Sequence, residues 1–289
     1  MLSLHELKSE LFGKQADTKT KEDESLSRFC AEAVWNARST LGRPYCWRVD
    51  KIEKSGATLR IRSFGHGLSA GDTIKIVGST TTPSVDATYT VASVYSENEI
   101  VVAFAGDTLS GGLVQRTAYL HPRRTIEFVP TGVQSLWVPA QVLPWQSIVS
   151  IEERIGQSEW EAVESTEYSV GAPDDMGPAR AVRLDRVTGT WPQWVRFIRG
   201  QHALPVRSRM KTLRIVYWAG ASQMPSDLRT AVNSLVFDLY DMEGGGKDEE
   251  SYSYEGATQR RLSGEERKSR ELSTTRILRQ YGIKTMRGQ

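Results

Sequence analysis

Two pairs of adjacent carboxylates are the side chains with the clearest capacity for acid–base chemistry. Glu152 and Glu153 lie in an alternating segment, and Asp174 and Asp175 lie in the stretch GAPDDMGPAR. A glycosidase needs two carboxyl groups that face one scissile bond. Neighbouring residues of a strand point to opposite faces, so Glu152 and Glu153 cannot cooperate. The Gly- and Pro-rich stretch predicts a turn. Neither pair therefore predicts hydrolysis.

The histidines and cysteines do not form a metal-binding or nucleophilic pattern. The four histidines are scattered along the chain, and no Cys-x-x-Cys or His-x3-His spacing occurs. They are His5, His66, His121 and His202. Gly65 and Gly67 flank His66, so we expect a turn residue there. Cys30 falls on the apolar face of a predicted helix, where we expect a buried structural thiol.

Motifs for nucleotide binding are also missing from the sequence, and no nucleophile elbow is predicted. The chain contains no Walker loop and no GxGxxG, and its GLSAG at 67–71 lies in a turn-rich stretch between predicted strands, where no helix follows it. Gly244, Gly245 and Gly246 follow an apolar helical pattern instead of opening a helix, so they predict a helix stop. We therefore expect no catalytic residues, no metal and no cofactor, and the protein is predicted not to be an enzyme.

Charge is distributed unevenly along the chain. Residues 258–289 carry nine basic and three acidic side chains, a net +6, whereas the whole chain is only +2. Such asymmetry predicts an interaction arm, although a solvated helix face is an open alternative. The candidate partner-binding residues are Arg267, Arg270, Arg276, Arg279 and Tyr281. They could meet an acidic protein surface or contact DNA phosphates without sequence preference. Tyr281 is the lone aromatic among them, which argues against a stacking platform for single strands.

Length and composition indicate an ordinary globular protein. The 289 residues are enough for about two domains, with 39% hydrophobic and 25% charged residues. No apolar run is long enough to span a membrane. Glu6 and Glu10 interrupt the N-terminal leucines, which is wrong for a signal peptide. We expect a protein made in the cytoplasm, without a membrane partner.

Tryptophan is frequent, and six of the eight fall in the strand-rich middle of the chain. They are Trp137, Trp145, Trp160, Trp191, Trp194 and Trp218. An exposed platform of such rings would predict carbohydrate binding. Packing in a core or a subunit interface is the commoner use of tryptophan, and we favour it. Quenching of tryptophan fluorescence by glycans would distinguish the two.

Periodicity divides the chain into helical and strand-rich parts. Leu4, Leu7 and Leu11 predict a short amphipathic helix, and residues 14–25 predict a polar linker or an exposed helix start. The apolar spacing from Leu26 to Ala37 predicts a second helix, ended near Gly42. Residues 51–116 contain short alternating runs separated by turns, which predict strands of a small β-barrel or sandwich. The runs are Thr58–Arg62, Thr73–Val77, Thr88–Ala92 and Glu99–Ala103.

Part of this strand-rich stretch resembles a known module. The residues at 66–73, HGLSAGDT, with 86–91 downstream, are similar to a small β-barrel module of ubiquitin-activating enzymes and of phage structural proteins. Ala87 stands where that pattern has glycine. Residues 51–116 contain no cysteine, so the enzyme's chemistry is not implied. The resemblance implies an inserted lobe.

The clearest architectural signal is the run at 213–246, LRIVYWAGASQMPSDLRTAVNSLVFDLYDMEGGG. Alternation from Leu213 predicts a strand that closes at Ala219 and Gly220. Pro225 suits the first turn of a helix, where its missing N–H costs nothing. From Leu228 onward, apolar residues recur at i, i+3, i+4 and i+7, which predicts an amphipathic helix.

This run resembles the core of tailed-phage head–tail connector (adaptor) proteins. The matching pattern is a Val–Tyr–x–Ala–Gly strand end, a Pro–x–Asp–Leu helix start and an apolar helix that ends near a tyrosine. A second matching segment is LPWQSIVSIE at 143–152, and the third is the C-terminal helix predicted for 258–280. In that family, the last helix and tail pack at the ring interface or reach the portal.

The resemblance and the periodicity together predict an α+β fold. We expect a helical connector core with a short antiparallel strand meander and an inserted small β-barrel domain. The predicted domains are the N-terminal helices (1–50), the inserted β-barrel module (51–116), the strand meander with the main core helix (117–246), and a linker with the basic C-terminal helix and tail (247–289).

The function that the resemblance implies is structural. A head–tail connector forms a homo-oligomeric ring in the virion neck, between portal and tail. Family membership implies twelve copies. The expected partners are the portal protein, tail or neck proteins and, through non-specific contact, genomic DNA in the channel. The alternative is a phage accessory protein whose β-module recognises a carbohydrate or a protein partner.

Overall fold

The computed structural model of the chain describes residues 4–12, 23–41, 45–106, 108–109, 114–115, 117–130, 132–138, 145–155, 158–170, 183–191, 211–221, 223–242, 251–254, 257–260 and 264–281. The chain divides into two compact units. Unit 1 comprises Met1–Leu120 and Ser222–Gln289, and unit 2 comprises His121–Ala221.

Unit 1 contains the four described helices. They are α1 (Leu4–Phe12), α2 (Asp23–Leu41), α3 (Ser226–Met242) and α4 (Gly264–Tyr281). The apolar spacing that predicted α2 is confirmed, since every residue of that stripe is buried. Leu4 and Leu7 of α1 are buried as well. The Asp50 carboxylate accepts the Leu4 N–H at 2.7 Å and so satisfies one of the free donors at the start of α1.

Unit 1 also contains six short strands that follow α2. They are β1 (Trp47–Arg48), β2 (Lys51–Ser55), β3 (Thr58–Arg62), β4 (Thr73–Val77), β5 (Thr88–Ser96) and β6 (Glu99–Ala103). The strand β7 (Tyr119–Phe128) begins in unit 1, where its first two residues pair with β1. Alternate residues of β3, β4 and β6 are buried, as expected for strands with one core face.

Unit 2 is built from strands in its described part. After β7 come β8 (Ser135–Trp137), β9 (Trp145–Arg154), β10 (Trp160–Ala162), β11 (Tyr168–Val170), β12 (Arg183–Arg186) and β13 (Leu213–Ala219). One sheet has the order β10–β9–β13–β7, and a second has the order β11–β12–β8. The pairings within these two sheets are antiparallel.

The expected fold class is wrong. Hydrogen bonds connect ten of the described strands into one antiparallel sheet, in the order β10–β9–β13–β7–β4–β5–β6–β3–β2 with β1 beside β7. The protein is therefore a mainly β structure with four described helices, and not a helical connector core carrying a small barrel. Sequence periodicity located the strands, but pairing between strands far apart in sequence leaves no local pattern.

The start of the C-terminal helix is also placed differently. A helix was expected from Thr258, but Ala257–Arg260 is a strand, β15, paired with β14 (Ser251–Tyr254). The helix α4 begins at Gly264. The last three residues of the predicted linker belong to α2, which begins at Asp23. The following lie outside the described residues: the rest of that linker (14–22), Asp174, Asp175, Trp194, His202 and the glycines at 244–246.

Candidate interaction surface

Two of the five candidate partner-binding residues contact other parts of unit 1. Arg270 donates from Nη1 to the Asp238 carboxylate of α3 at 3.2 Å. The Tyr281 hydroxyl donates to the Asp227 carboxylate at 2.9 Å, and its ring meets the Tyr45 ring edge-on at 5.7 Å. Burial and the Asp227 charge raise the pKa of Tyr281 to about 12. Both side chains therefore stabilise the packing of α4 against other elements of unit 1.

The buried side of α4 explains these contacts. Thr274 and Leu278 are buried, and Arg270 and Tyr281 follow the same helical spacing of i, i+4, i+8 and i+11. This row is therefore the packed side of the helix. The side chain of Arg267 lies outside the described residues.

The opposite side of α4 is exposed and basic. Lys268, Leu272, Arg276 and Arg279 recur at i, i+4, i+8 and i+11, which places them within about 80° of one another around the helix. All four are exposed, and Leu272 shows 73% of its surface. We call these four residues the α4 face. No ion pair within the described part of the chain involves Arg276 or Arg279.

A second exposed row occurs on α2 and has the same spacing. Glu24, Arg28, Glu32 and Trp35 lie at i, i+4, i+8 and i+11, and all four are exposed. Trp35 shows 71% of its surface. We call these four residues the α2 face. Tryptophan is among the residues most enriched at protein interfaces, and an indole left in water on a helix surface is unusual.

Sequence reasoning missed Trp35 and Leu272. The signal was available, because Trp35 lies off the apolar stripe of α2 and Leu272 lies off that of α4. A large apolar residue on the polar side of an amphipathic helix indicates contact with something outside the unit. The two faces therefore extend the candidate surface from basic residues alone to two mixed patches.

The histidines in the described residues have structural surroundings. His66 is buried, its Nδ1 accepts the Leu68 N–H at 2.9 Å, and its Nε2 lies 3.0 Å from the Ser96 carbonyl. Nε2 therefore carries the proton, and burial lowers the pKa of His66. His121 is buried with Nδ1 3.2 Å from the Ala219 carbonyl. His66 lies in the irregular segment that follows the turn at Phe64 and Gly65.

The adjacent carboxylates of β9 serve two separate contacts. Glu152 binds Arg214 at 3.1 Å, whereas Glu153 is buried and forms an ion pair with Arg186. Opposite faces of the strand thus separate the two carboxyl groups, and the prediction that they do not face one another is confirmed.

Cys30 is also buried, and burial raises the pKa of its thiol.

The tryptophans of unit 2 have mixed environments. Trp191 is fully buried and donates from Nε1 to the Leu184 carbonyl at 3.1 Å, whereas Trp137 is 52% exposed. Trp160 and Trp218 are half-buried, and the side chain of Trp145 lies outside the described set. Core packing is confirmed for Trp191; for the others, both uses stay predictions.

Among the described residues, no group of three or more His, Cys, Asp or Glu side chains is arranged to hold a metal ion. None of the described helices has the length and the apolar character required to cross a bilayer.

Comparison with known proteins gives one structural likeness. No protein-family model matches the chain, and no curated protein matches it. A solved structure described as the neck of an empty GTA particle computed with C6 symmetry contains a similar chain, with a TM-score of 0.41 and 11% sequence identity. The alignment covers 99% of this chain and 92% of that one.

Proposed function

We propose that this protein is a structural subunit of a tailed-phage neck, where it forms a homo-oligomeric ring between the portal and the tail. The observation that carries the proposal is the pair of exposed helix faces in unit 1. Each presents a large apolar residue, Trp35 or Leu272, among charged side chains. Two different patches on one chain allow head-to-tail contacts between copies, and such contacts close into rings when the rotation permits.

The sequence resemblance to head–tail connectors supports the same function. Its strand end corresponds to β13, and its Pro–x–Asp–Leu helix start lies where α3 begins at Ser226. These elements are architectural, so the function follows from contact between copies and partners and not from turnover of a substrate. A ring of twelve copies and contacts with portal, tail proteins and channel DNA belong to this proposal.

Co-expression with the phage portal protein, followed by electron microscopy, tests the proposal. We expect ring-shaped density for this chain below the portal, and the chain should be found in purified virions. Absence from the neck would overturn the proposal. So would a monomer that binds glycans and never associates with the portal, because that behaviour belongs to the accessory-protein alternative.

A further inference from the structure

We infer that the ring contact is heterologous: the α2 face of one copy binds the α4 face of the next, with Trp35 packed against Leu272. This inference rests on the proposed function and assigns it a specific pair of surfaces. The occupant of each face is thus a second copy of this chain.

The two faces match in length. Each has four exposed residues at i, i+4, i+8 and i+11 on a helix of unit 1. At a rise of about 1.5 Å per residue, each row is about 16 Å long. Two rows of equal length can pack antiparallel along one another, as in ordinary helix–helix contacts, and this arrangement brings Trp35 within about one helical turn of Leu272.

The charges favour unlike faces over like faces. The α4 face carries three cations, Lys268, Arg276 and Arg279. The α2 face carries two carboxylates, Glu24 and Glu32, with Arg28 between them. Two α4 faces brought together would place six cations in one contact, and that repulsion is not compensated. An α2 face against an α4 face instead brings carboxylates towards basic side chains, which favours this pairing over two α4 faces.

The apolar residues supply a centre for the contact. Trp35 and Leu272 are 71% and 73% exposed, so most of each side chain is available for burial. Interface energy concentrates in a few such residues, with tryptophan prominent among them. Cations around an exposed leucine are less suited to DNA, because phosphate recognition gains nothing from an apolar side chain.

The experiment uses two full-length variants that each block one face. Trp35→Asp removes the α2 face and leaves the α4 face intact, whereas Leu272→Asp does the reverse. We expect each variant alone to be monomeric by sedimentation velocity at concentrations where the unmodified chain associates. A one-to-one mixture should form a dimer that contains one copy of each, because it restores a single contact. The self-association constant should weaken about 30-fold or more for Trp35→Asp.

Matched controls keep the substitution type and leave the faces intact. Thr40→Asp on α2 and Ser273→Asp on α4 change exposed residues outside both rows, and they should associate like the unmodified chain. Circular dichroism and thermal unfolding of all four variants establish that each is folded. A loss of association in the controls as well would overturn the assignment to these faces.

The remaining outcomes separate this inference from the proposed function. If the unmodified chain forms rings but the mixture of blocked variants stays monomeric, the pairing is wrong and the ring function stands. If Leu272→Asp alone still dimerises while Trp35→Asp does not, the contact is between two α2 faces, and the inference is overturned. If the unmodified chain is always monomeric and a duplex DNA probe binds the α4 face, both proposals fail. If the protein associates head to tail but is absent from the neck, the pairing of the α2 and α4 faces stands and the proposed function is refuted.

Discussion

Arginine has opposite uses in unit 2 and on the α4 face. In unit 2, Arg214 contacts Glu127 and Glu152, and its guanidinium carbon lies 4.1 Å from the centre of the Trp160 ring. Arg186 is held in the same way by Glu153 and Glu167, over the ring of Trp191. On α4, by contrast, Arg276 and Arg279 are exposed and have no ion pair within the described part of the chain.

This contrast shows that residue type alone does not reveal which charges are available to a partner. Arg214 lies directly opposite Glu127 on β7 and Glu152 on β9, so strand register determines its partners. A guanidinium fork suits such bidentate contacts and stacking on an aromatic ring. Arginines on a helix surface have no such register. If the comparison is correct, substitutions in unit 2 should reduce stability, and substitutions on the α4 face should reduce association.

The largest effect is expected for Arg186→Met. Glu153 is buried, so removal of Arg186 leaves a carboxylate without its main counter-charge. We expect the free energy of unfolding to fall by about 3–5 kcal/mol, measured by urea denaturation. The double variant Glu153→Met, Arg186→Met should recover most of the loss, because two apolar side chains leave no buried charge.

Arg183→Gln is the matched control for this prediction. Arg183 and Asp185 lie on β12, as Arg186 does, and Arg183 Nε is 2.8 Å from Asp185 Oδ2. The Arg183 side chain, however, is 49% exposed. We expect a change of about 0–1 kcal/mol, as is usual for surface ion pairs. A similar loss for Arg183→Gln and Arg186→Met would show that burial does not distinguish the two pairs, and the prediction would be wrong.

A smaller loss is expected for Arg214→Met. Arg214 and its two carboxylate partners are each between 21% and 31% exposed, so water screens part of the interaction. We expect a loss of about 1–3 kcal/mol, since two charge-assisted contacts disappear and two carboxylates remain on neighbouring strands. Arg214→Lys retains the positive charge but not the two-pronged guanidinium. Its unfolding midpoint should therefore lie between those of the unmodified protein and Arg214→Met. Equal midpoints for Lys and Met would contradict this order.

The sequence predicted structural features that depend on neighbouring residues, and it failed for features that depend on contacts between distant residues. The strands Thr58–Arg62, Thr73–Val77 and Glu99–Ala103 were placed with the observed bounds, because alternation of apolar residues is a local property. The fold class was wrong because pairing through β7 joins strands that are distant in sequence. No periodicity within a strand specifies which strand will lie beside it.

The candidate surface was predictable in part for the same reason. Helical spacing alone places Arg270 on the side of Thr274 and Leu278, so it could have been separated from Arg276. The acceptors of Arg270 and Tyr281 could not be predicted, because Asp238 and Asp227 come from another helix. Trp35 was overlooked because charge, and not exposed apolar surface, guided the choice of candidates. Partner binding by the five original residues stays a prediction.

Tyr281→Phe tests whether the packed side of α4 holds the helix in place. The substitution removes the hydroxyl that donates to Asp227, so we expect a loss of about 1 kcal/mol in the free energy of unfolding. The folded pKa of Tyr281 is raised from 10.0 to about 12, so the unfolded chain loses this proton first. The contribution of the Tyr281 hydroxyl to the free energy of unfolding is therefore fully present below pH 10, and it declines as the pH rises from 10 to about 12.

Absorbance titration of tyrosinate checks the pH dependence. The unmodified protein should contain a component that titrates near pH 12, and this component should be missing in Tyr281→Phe. Tyr95→Phe is a useful control because the Tyr95 side chain is 68% exposed. If Tyr281→Phe leaves both the titration and the unfolding midpoint unchanged, the Asp227 contact does not fasten α4.

The smallest effect on stability, and a large one on association, is expected for the double variant Arg276→Gln, Arg279→Gln. Both side chains are exposed, so the free energy of unfolding should change by less than about 0.5 kcal/mol. Self-association should weaken and become less dependent on salt between about 50 mM and about 500 mM NaCl, because two of the three screened cations of the α4 face are gone. Arg270→Gln provides the converse control: its Asp238 contact should make stability respond more than association. If the double variant unfolds as readily as Arg214→Met, these arginines hold the fold together, and the contrast between the two regions fails.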